Sequence, residues 1–170
     1  MSGFTITGGV SFSGAVSMSE APDIGNTAGW FGGGYAPGFR STVNRITYAT
    51  DTATASVRGP LSLARKKLTA VGNSDYGWFG GGYFDGDRST VDRITYATDT
   101  ATASVRGPLS AVRYYLAAAG NTTDGWFGGG NPGPQSTVER ITYATDTAAT
   151  STRGPLSVAR RMLAAAGGIQ

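Results

Sequence analysis

The feature that most constrains the fold of this chain is a threefold internal repeat. The hexapeptide GWFGGG occupies residues 29–34, 77–82 and 125–130, and each copy is followed by YATDTA and then by RGPLS. The third unit is one residue shorter in the loop that follows its glycines. Repeats of nearly 50 residues are typical of propeller blades or solenoid turns, in which each unit buries its apolar face against its neighbours.

Each unit is predicted to contain four short strands. The clearest is residues 89–97, where successive side chains alternate between two faces. That segment is the third strand of its unit. The first strand is R-x-x-L-x-A-x-G (113–120), the second is GWFGGG (77–82) and the fourth is TATASVRG (100–107). The fourth ends at Gly-Pro because proline cannot donate to a ladder. With 27 glycines and 15% charged residues, the composition favours strands and turns over a helical bundle. We therefore predict an all-β fold.

The repeated motifs resemble those of a known family. R-x-x-L-x-A, an aromatic pair before a glycine run, and V-[DE]-R-I-x-Y are together similar to the kelch repeat, and the resemblance covers residues 24–170. It implies four-stranded blades of a β-propeller. The kelch tryptophan of the fourth strand is replaced here by small residues around Ala55, Ala103 and Ala149. The variant WFGGG…RITYATDTATASVRGPLS…AR also resembles repeats in virion-associated proteins of tailed phages of marine cyanobacteria, which implies a virion or extracellular location.

The repeats set the expected domain boundaries. We predict three kelch-like units at about residues 24–72, 73–120 and 121–170, preceded by an N-terminal segment over residues 1–23. That segment alternates apolar residues with small or polar ones over most of its length. It is interpreted either as an arm that attaches the protein to another virion protein or as a partly ordered tail.

The strand types are offset along the chain, which predicts self-association. The repeats open on a second strand at residues 29–34 and close on a first strand at residues 160–167. Propellers have about four to eight blades, so three would make too tight a ring, and two chains would give six. The C-terminal strand would then complete the first blade of a partner in a closed homodimer. The alternative is head-to-tail association that does not close, which yields a filament.

The residue types that are missing exclude many activities. The chain has no cysteine and no histidine, so ordinary zinc, copper and haem sites and a Ser-His-Asp triad are excluded. Copper chemistry of the kelch-type oxidases is excluded for the same reason. GWFGGG lacks the spacing and the lysine of a phosphate loop. We predict no cofactor, no metal and no enzyme activity. The sequence lacks a basic stripe interleaved with aromatic residues, so nucleic-acid binding is not predicted. It also lacks an apolar run long enough to predict a membrane span.

Nine arginines recur at three positions of every unit. The favoured interpretation is structural, with each arginine joining strands or blades through backbone carbonyls and through Asp51, Asp99 or Asp146. The alternative is a ring of cations for an anionic glycan or a phosphate. The arginines are Arg45, Arg93 and Arg140; Arg58, Arg106 and Arg153; and Arg65, Arg113 and Arg160.

Differences between the units concentrate in two loops, the one after the glycine run and the one after RGPLS. In a four-stranded meander both emerge on one face, and loops on a rigid scaffold are where binding sites usually lie. Drift at loop tips would give the same pattern. The candidate binding residues on this variable face are Tyr35, Phe39, Lys66, Lys67, Tyr83, Phe84, Asp85, Asp87, Tyr114, Tyr115, Asn131, Gln135 and Arg161.

These observations favour a non-enzymatic structural and binding module. It would act as a tail fibre, appendage or capsid decoration that binds a protein or a surface glycan through the variable face. Two other functions are kept as alternatives. One is a self-assembling extracellular fibre subunit. The other is a glycan-acting enzyme, for which Asp85 and Asp87 are the candidate acids, although a solvated turn explains both.

Overall fold

The computed structural model describes residues 27–167, which form three antiparallel sheets and thereby confirm the predicted all-β fold. The first sheet has the order β1-β2-β3, and its strands are β1 (Ala28–Gly32), β2 (Val43–Thr47) and β3 (Ser56–Arg58). The second has the order β4-β5-β6-β7, with β4 (Thr69–Gly72), β5 (Tyr76–Gly80), β6 (Val91–Thr95) and β7 (Ser104–Arg106). The third is a meander of β8 (Ala117–Gly120), β9 (Asp124–Gly128), β10 (Val138–Thr142) and β11 (Ser151–Arg153).

The strands are shorter than the sequence pattern predicts. The predicted third strand at residues 89–97 ends at Thr95, and a single 3-10 turn over Tyr96–Thr98 takes its place. Equivalent 3-10 turns cover Tyr48–Thr50 and Tyr143–Thr145, and they are the helices of the described chain. The predicted fourth strand at residues 100–107 is paired only over Ser104–Arg106.

Backbone conformations with positive φ explain two of these ends. GWFGGG leaves the sheet after its fourth residue because Gly81 and Gly82 have φ of 68° and 112°, which only glycine adopts readily. The predicted first strand at residues 113–120 joins the sheet only from Ala117, since Tyr115 has φ of 57°. Alternation of side chains predicts the paired centre of a strand, whereas the termini follow from individual φ angles.

The core lies between the sheets rather than within any one of them. Between the first and second sheets pack Val43, Leu61, Phe79, Ile94 and Ala103. Between the second and third pack Trp78, Val91, Leu109, Leu116, Phe127, Ile141 and Tyr143. Burial raises the pKa of the Tyr143 hydroxyl, which keeps this ring neutral. Each unit therefore buries its apolar residues only where a neighbouring unit covers them.

Two of the three arginines after RGPLS, Arg65 and Arg113, are structural, as the sequence predicts, whereas the third, Arg160, is exposed. The Arg65 guanidinium is fully buried and donates to the carbonyls of Gly81 (2.8 Å) and Phe79 (3.0 Å). It also forms an ion pair of 2.7 Å with Asp92. Arg113 occupies the equivalent position: it donates to the carbonyl of Gly129 at 3.1 Å and forms an ion pair of 3.0 Å with Glu139. Burial lowers the pKa of Arg113, and the carboxylate of Glu139 opposes that shift.

In the first two units, the other two arginine positions join one sheet to the next; in the third, Arg140 pairs with Asp124 of its own sheet and Arg153 is exposed. The Arg45 and Arg58 guanidiniums reach Asp99 of the following unit, at 3.1 Å and 3.3 Å. Arg93 and Arg106 reach Asp146 in the same way, at 3.0 Å and 3.4 Å. Asp51 was predicted to take the same part and forms no ion pair with any residue in the described range.

The ends of the chain depart most from the prediction. The C-terminal segment, residues 160–167, was expected to be a strand, but it is not paired into a sheet and most of it is exposed. Residues 1–23, the predicted arm, lie outside the described residues. No helix within residues 27–167 has the length and apolar character to cross a membrane.

Candidate binding surface

The two variable loops meet on one side of the sheets. Beside the second sheet, Lys66 and Tyr83 form a pair of backbone hydrogen bonds, N–H to O, of 3.1 Å and 2.8 Å. Beside the third sheet, Tyr114 and Asn131 form the equivalent pair, at 3.2 Å and 2.8 Å. The loop after RGPLS is therefore tied to the loop after the glycine run, which places the variable residues of both loops together.

A second set of backbone bonds runs from unit to unit across the same face. The amide of Tyr115 donates to the carbonyl of Lys67, and the amide of Met162 donates to that of Tyr115, both at 2.9 Å. All three residues have positive φ, at 62° for Lys67, 57° for Tyr115 and 55° for Met162. Positive φ is uncommon for residues with a side chain, and here it recurs once per unit at a position where the residue type changes.

Six aromatic side chains form one connected row over these loops, which we call the aromatic strip. Ring centroids lie 5.8 Å apart for Tyr35 and Phe39, 6.2 Å for Phe39 and Tyr83, and 5.8 Å for Tyr83 and Tyr114. Phe84 packs against Phe39 at 5.2 Å and Tyr115 against Tyr114 at 5.4 Å. The members are thus Tyr35, Phe39, Phe84, Tyr83, Tyr114 and Tyr115.

Both lysines of the chain lie on the aromatic strip. The Lys66 Nζ is 4.5 Å from the Tyr35 ring centroid and 5.2 Å from that of Phe39. The Lys67 Nζ lies 4.7 Å to 5.2 Å from the ring centroids of Tyr83, Tyr114 and Tyr115. Cation–π attraction holds an ammonium over a ring without using all of its hydrogen-bond donors. The strip therefore combines apolar ring faces with two positive charges.

The remaining candidate residues divide into surface and internal positions. Asp85 is exposed at a loop tip with φ of 44°, and Asp87 pairs with Tyr83 through the backbone. Asn131 is only 3% exposed, and its Oδ1 accepts a bond of 3.3 Å from Arg161. Asn131, one of the predicted binding residues, thus ties its loop to the C-terminal segment.

Gln135 also has a structural contact inside its own loop. Its Nε2 donates to the carbonyl of Pro132 at 2.8 Å. Arg40 and Arg88, at the same position of the other units, donate to the carbonyls of Ala36 and Phe84. Sequence reasoning missed this loop-closing role, although an arginine at one repeat position in two units was the signal for it.

A comparison with protein-family models finds no match to this chain, and a comparison with curated proteins finds none either. Among residues 27–167, no group of three or more acidic side chains is close enough together to hold a metal ion. What the described surface offers is a row of aromatic faces with ammonium groups above it.

Proposed function

We propose that the chain is a non-enzymatic binding module that captures a surface glycan on the aromatic strip. The observation that carries this proposal is the coincidence of sequence variation with one continuous surface. The loops in which the units differ carry the strip residues, from Tyr35 to Tyr115, side by side, and backbone hydrogen bonds hold these loops in place. A rigid scaffold with variable residues at one set of loops is the usual arrangement of a recognition surface.

The chemistry of the strip favours a saccharide with acidic groups. Sugar rings present apolar C–H faces, which pack against aromatic faces, while the tyrosine hydroxyls remain free to reach sugar hydroxyls. Lys66 and Lys67 add positive charge where a carboxylate or sulfate of the same glycan would bind. A protein partner is the second ligand class, and the binding assay separates the two.

A propeller on a virion or another extracellular assembly is the setting that we propose for this activity. The support is the resemblance of the repeats to the kelch repeat and to those of virion-associated phage proteins. In this setting residues 1–23 would attach the module to another virion protein, and the strip would point towards the host surface.

The binding test uses alginate, a polysaccharide of uronic acids, and dextran as a neutral control, both in affinity electrophoresis. We expect alginate to retard the wild-type chain. Replacing Tyr83 and Tyr114 together with alanine removes adjacent stacking faces and should weaken retardation by about tenfold or more, which corresponds to about 1.4 kcal/mol. Val105→Ala serves as the control, because Val105 is 60% exposed on β7 and belongs to neither variable loop.

Two further variants separate stacking from charge. Tyr114→Phe keeps the ring and should retain most of the binding. Lys67→Gln keeps the length of the side chain but removes the charge, and should weaken binding of alginate more than that of dextran. Equal binding of all variants to both sugars would contradict the proposal. Release of reducing ends by the wild type, abolished in Asp85→Asn with Asp87→Asn, would instead support the glycan-acting enzyme.

A further inference from the structure

The contacts between neighbouring sheets occur twice in the chain, in nearly identical form. The Trp30 Nε1–H donates to Asp99 of the next unit at 2.9 Å, and the Trp78 Nε1–H donates to Asp146 at 2.9 Å. The same indoles stack on Tyr96 and Tyr143, with ring centroids 3.8 Å and 3.9 Å apart. These repeated contacts define two faces on each unit.

We call the side that carries the tryptophan and the arginines the forward face, and the side that carries the aspartate and tyrosine the backward face. On the forward face of the first sheet, Arg45 and Arg58 reach Asp99 of the next unit. On that of the second sheet, Arg93 and Arg106 reach Asp146. The amides of Gly59 and Gly107 donate to the carbonyls of Asp99 and Asp146, both at 2.8 Å.

Glycines on the forward face make room for bulky groups on the backward face. A Cβ on Gly32 would lie 2.8 Å from the ring of Phe79, and one on Gly80 would lie 2.6 Å from the ring of Phe127. A Cβ on Gly107 would lie only 1.8 Å from the carbonyl oxygen of Ala148. The two faces therefore fit each other closely in both interfaces within the chain.

Among residues 27–167, the two outer sheets each leave one of these faces uncovered. On the backward face of the first sheet, Phe31 is 60% exposed, Tyr48 is 58% exposed and Asp51 is exposed. On the forward face of the third, Arg153 and Gly154 are exposed, and a Cβ on Gly154 would meet nothing within 4 Å. The remaining forward positions of that sheet, by repeat equivalence, are Trp126, Gly128 and Arg140.

The C-terminal segment adds a second complementary pair. An open groove runs between β1 and β4, lined by Trp30, Phe31, Tyr48 and Val71. In the third sheet, β8 lies between its partner β9 and strand β4 of the second sheet. The groove is thus where a first strand would complete the first sheet.

Residues 160–167 are already placed like such a first strand. The amide of Gly130 donates to the Arg160 carbonyl at 3.0 Å, as that of Gly82 does to Arg113 at 2.8 Å. Gly167 lies against the backbone of Gly120. Among the described residues, however, this segment has no second strand to pair with.

We propose that copies of this chain associate head to tail, and that two copies close into a ring of six sheets. The forward face of the third sheet binds the backward face of the first sheet in a second copy. Asp51 of the second copy then accepts the Trp126 indole N–H and pairs with Arg140 and Arg153. Phe31 of the second copy packs over Gly128, and six sheets fall within the range of about four to eight that rings of this kind contain.

The internal pairings fix the register of the completing strand. Gly72 pairs with Gly77 and Gly120 pairs with Gly125, so Gly167 should pair with Gly29 of the second copy. Ala70 and Ala118 pair with the phenylalanines of their sheets, which places Ala165 opposite Phe31. The contact also brings Arg161 of one copy next to Tyr35 of the other, so it extends the aromatic strip around the ring.

Charge reversal tests the face-to-face contact by light scattering after gel filtration. The wild type should have the mass of two chains. Asp51→Arg, at an exposed position that folding does not require, should give single chains, and Arg153→Asp should do the same. The double variant Asp51→Arg with Arg153→Asp keeps the charges balanced and should regain the mass of two. Asp85→Arg makes the same charge change on a loop and should stay paired.

A disulfide trap tests the strand register. The chain contains no cysteine, so introduced thiols have no competitors. Phe31→Cys with Ala165→Cys should link two chains on oxidation. Phe31→Cys with Ala166→Cys should not, because neighbouring residues of a strand point to opposite faces.

Three results would overturn parts of the proposal. A wild type with the mass of one chain at all concentrations rejects the head-to-tail contact. A ladder of increasing masses rejects closure at two copies and supports an open filament. A paired wild type in which both cysteine variants stay unlinked rejects the strand exchange and assigns the groove to another segment, such as residues 1–26.

Discussion

The second sheet and the first sheet share most of their sequence, yet their aromatic residues lie in different environments. Phe79 is 3% exposed in the second sheet, whereas Phe31, at the same position of the first, is 60% exposed. The difference does not come from the residues themselves. Phe79 is covered because it packs over Gly32 of the preceding sheet, and Phe31 has no preceding sheet within the described chain.

The acidic residues of the two units differ in the same way. Asp99 is 7% exposed and holds two arginines and one indole, whereas Asp51 is exposed. In a repeat protein, burial is thus a property of the interface between units and not of the repeat itself. Equivalent substitutions should consequently have unequal effects, and their difference measures how much stability each interface contributes. To keep copies apart, all three measurements below use an Asp51→Arg background.

The largest difference should come from the acid beside the buried arginine. Asp92 is fully buried and balances the fully buried Arg65, so Asp92→Ala leaves a buried charge uncompensated. The free energy of unfolding should fall by about 3–5 kcal/mol. The equivalent Asn44→Ala should change it by about 0.5 kcal/mol or less. Urea unfolding, followed by tryptophan fluorescence, gives both values.

Replacing both members of the pair refines that measurement. Arg65→Met with Asp92→Leu removes the two charges together and should be much less harmful than Asp92→Ala. If the double variant were as unstable as the single one, packing around Arg65 rather than its charge would explain the loss. Equal effects of Asp92→Ala and Asn44→Ala would reject the difference between the two sheets.

An intermediate difference in the free energy of unfolding is expected from two glycines, one after β7 of the second sheet and one after β11 of the third. Gly107→Ala places a methyl group against the Ala148 carbonyl, and such overpacking costs about 1–3 kcal/mol. Gly154→Ala meets nothing and should leave unfolding unchanged. In the wild-type background, however, the Gly154→Ala methyl group would face a second copy.

The two glycines therefore separate folding from assembly. Gly154→Ala should lower the mass of the wild type towards one chain without changing the unfolding of the Asp51→Arg chain. Should it destabilise the isolated chain as much as Gly107→Ala does, the end of the third sheet would already be covered by the chain itself.

The repeat predicts the fold well because its signals are local. Three copies of each motif indicate the three sheets, and the recurrence of Arg65 and Arg113 correctly predicts a structural role for both. Strand ends were less predictable. The positive φ of Tyr115 shortens β8, and nothing in its residue type indicates that conformation.

The candidate surface was predictable in position and less so in detail. Variation between units located Tyr83 and Tyr114 in neighbouring loops, but it could not show that their rings touch. It also could not separate Asn131, which is buried, from its exposed neighbours. The role of Asp92 was missed even though it is one of the few positions in that stretch where the units differ. An acid in place of Asn44 was the available sign of a buried partner.

The smallest difference should be a pH effect confined to the third sheet. Asp124 accepts hydrogen bonds from Thr142 (2.7 Å) and Thr123 (2.9 Å), and the Arg140 guanidinium lies 3.4 Å away. The bond from Thr142, followed by that from Thr123 and the charges of Arg140 and Arg153, lowers the pKa of Asp124. The stabilisation is therefore complete above the pKa of the unfolded state and is lost as the pH falls below about 4.

Asp124→Asn should remove this contribution, which is about 0–1 kcal/mol for a pair open to solvent. Near neutral pH the wild-type side chain should be the more stable by that amount, and the two unfolding curves should converge as the pH falls below about 4. Tyr76, at the equivalent position of the second sheet, provides the control, since Tyr76→Phe adds and removes no acid. The difference in the free energy of unfolding between Tyr76→Phe and the parent chain should not vary over the same pH range. A gap in the free energy of unfolding between Asp124→Asn and the parent chain that stays constant at acid pH would contradict this. Asp124 would then stabilise the sheet through packing, and its charge would contribute nothing through Arg140.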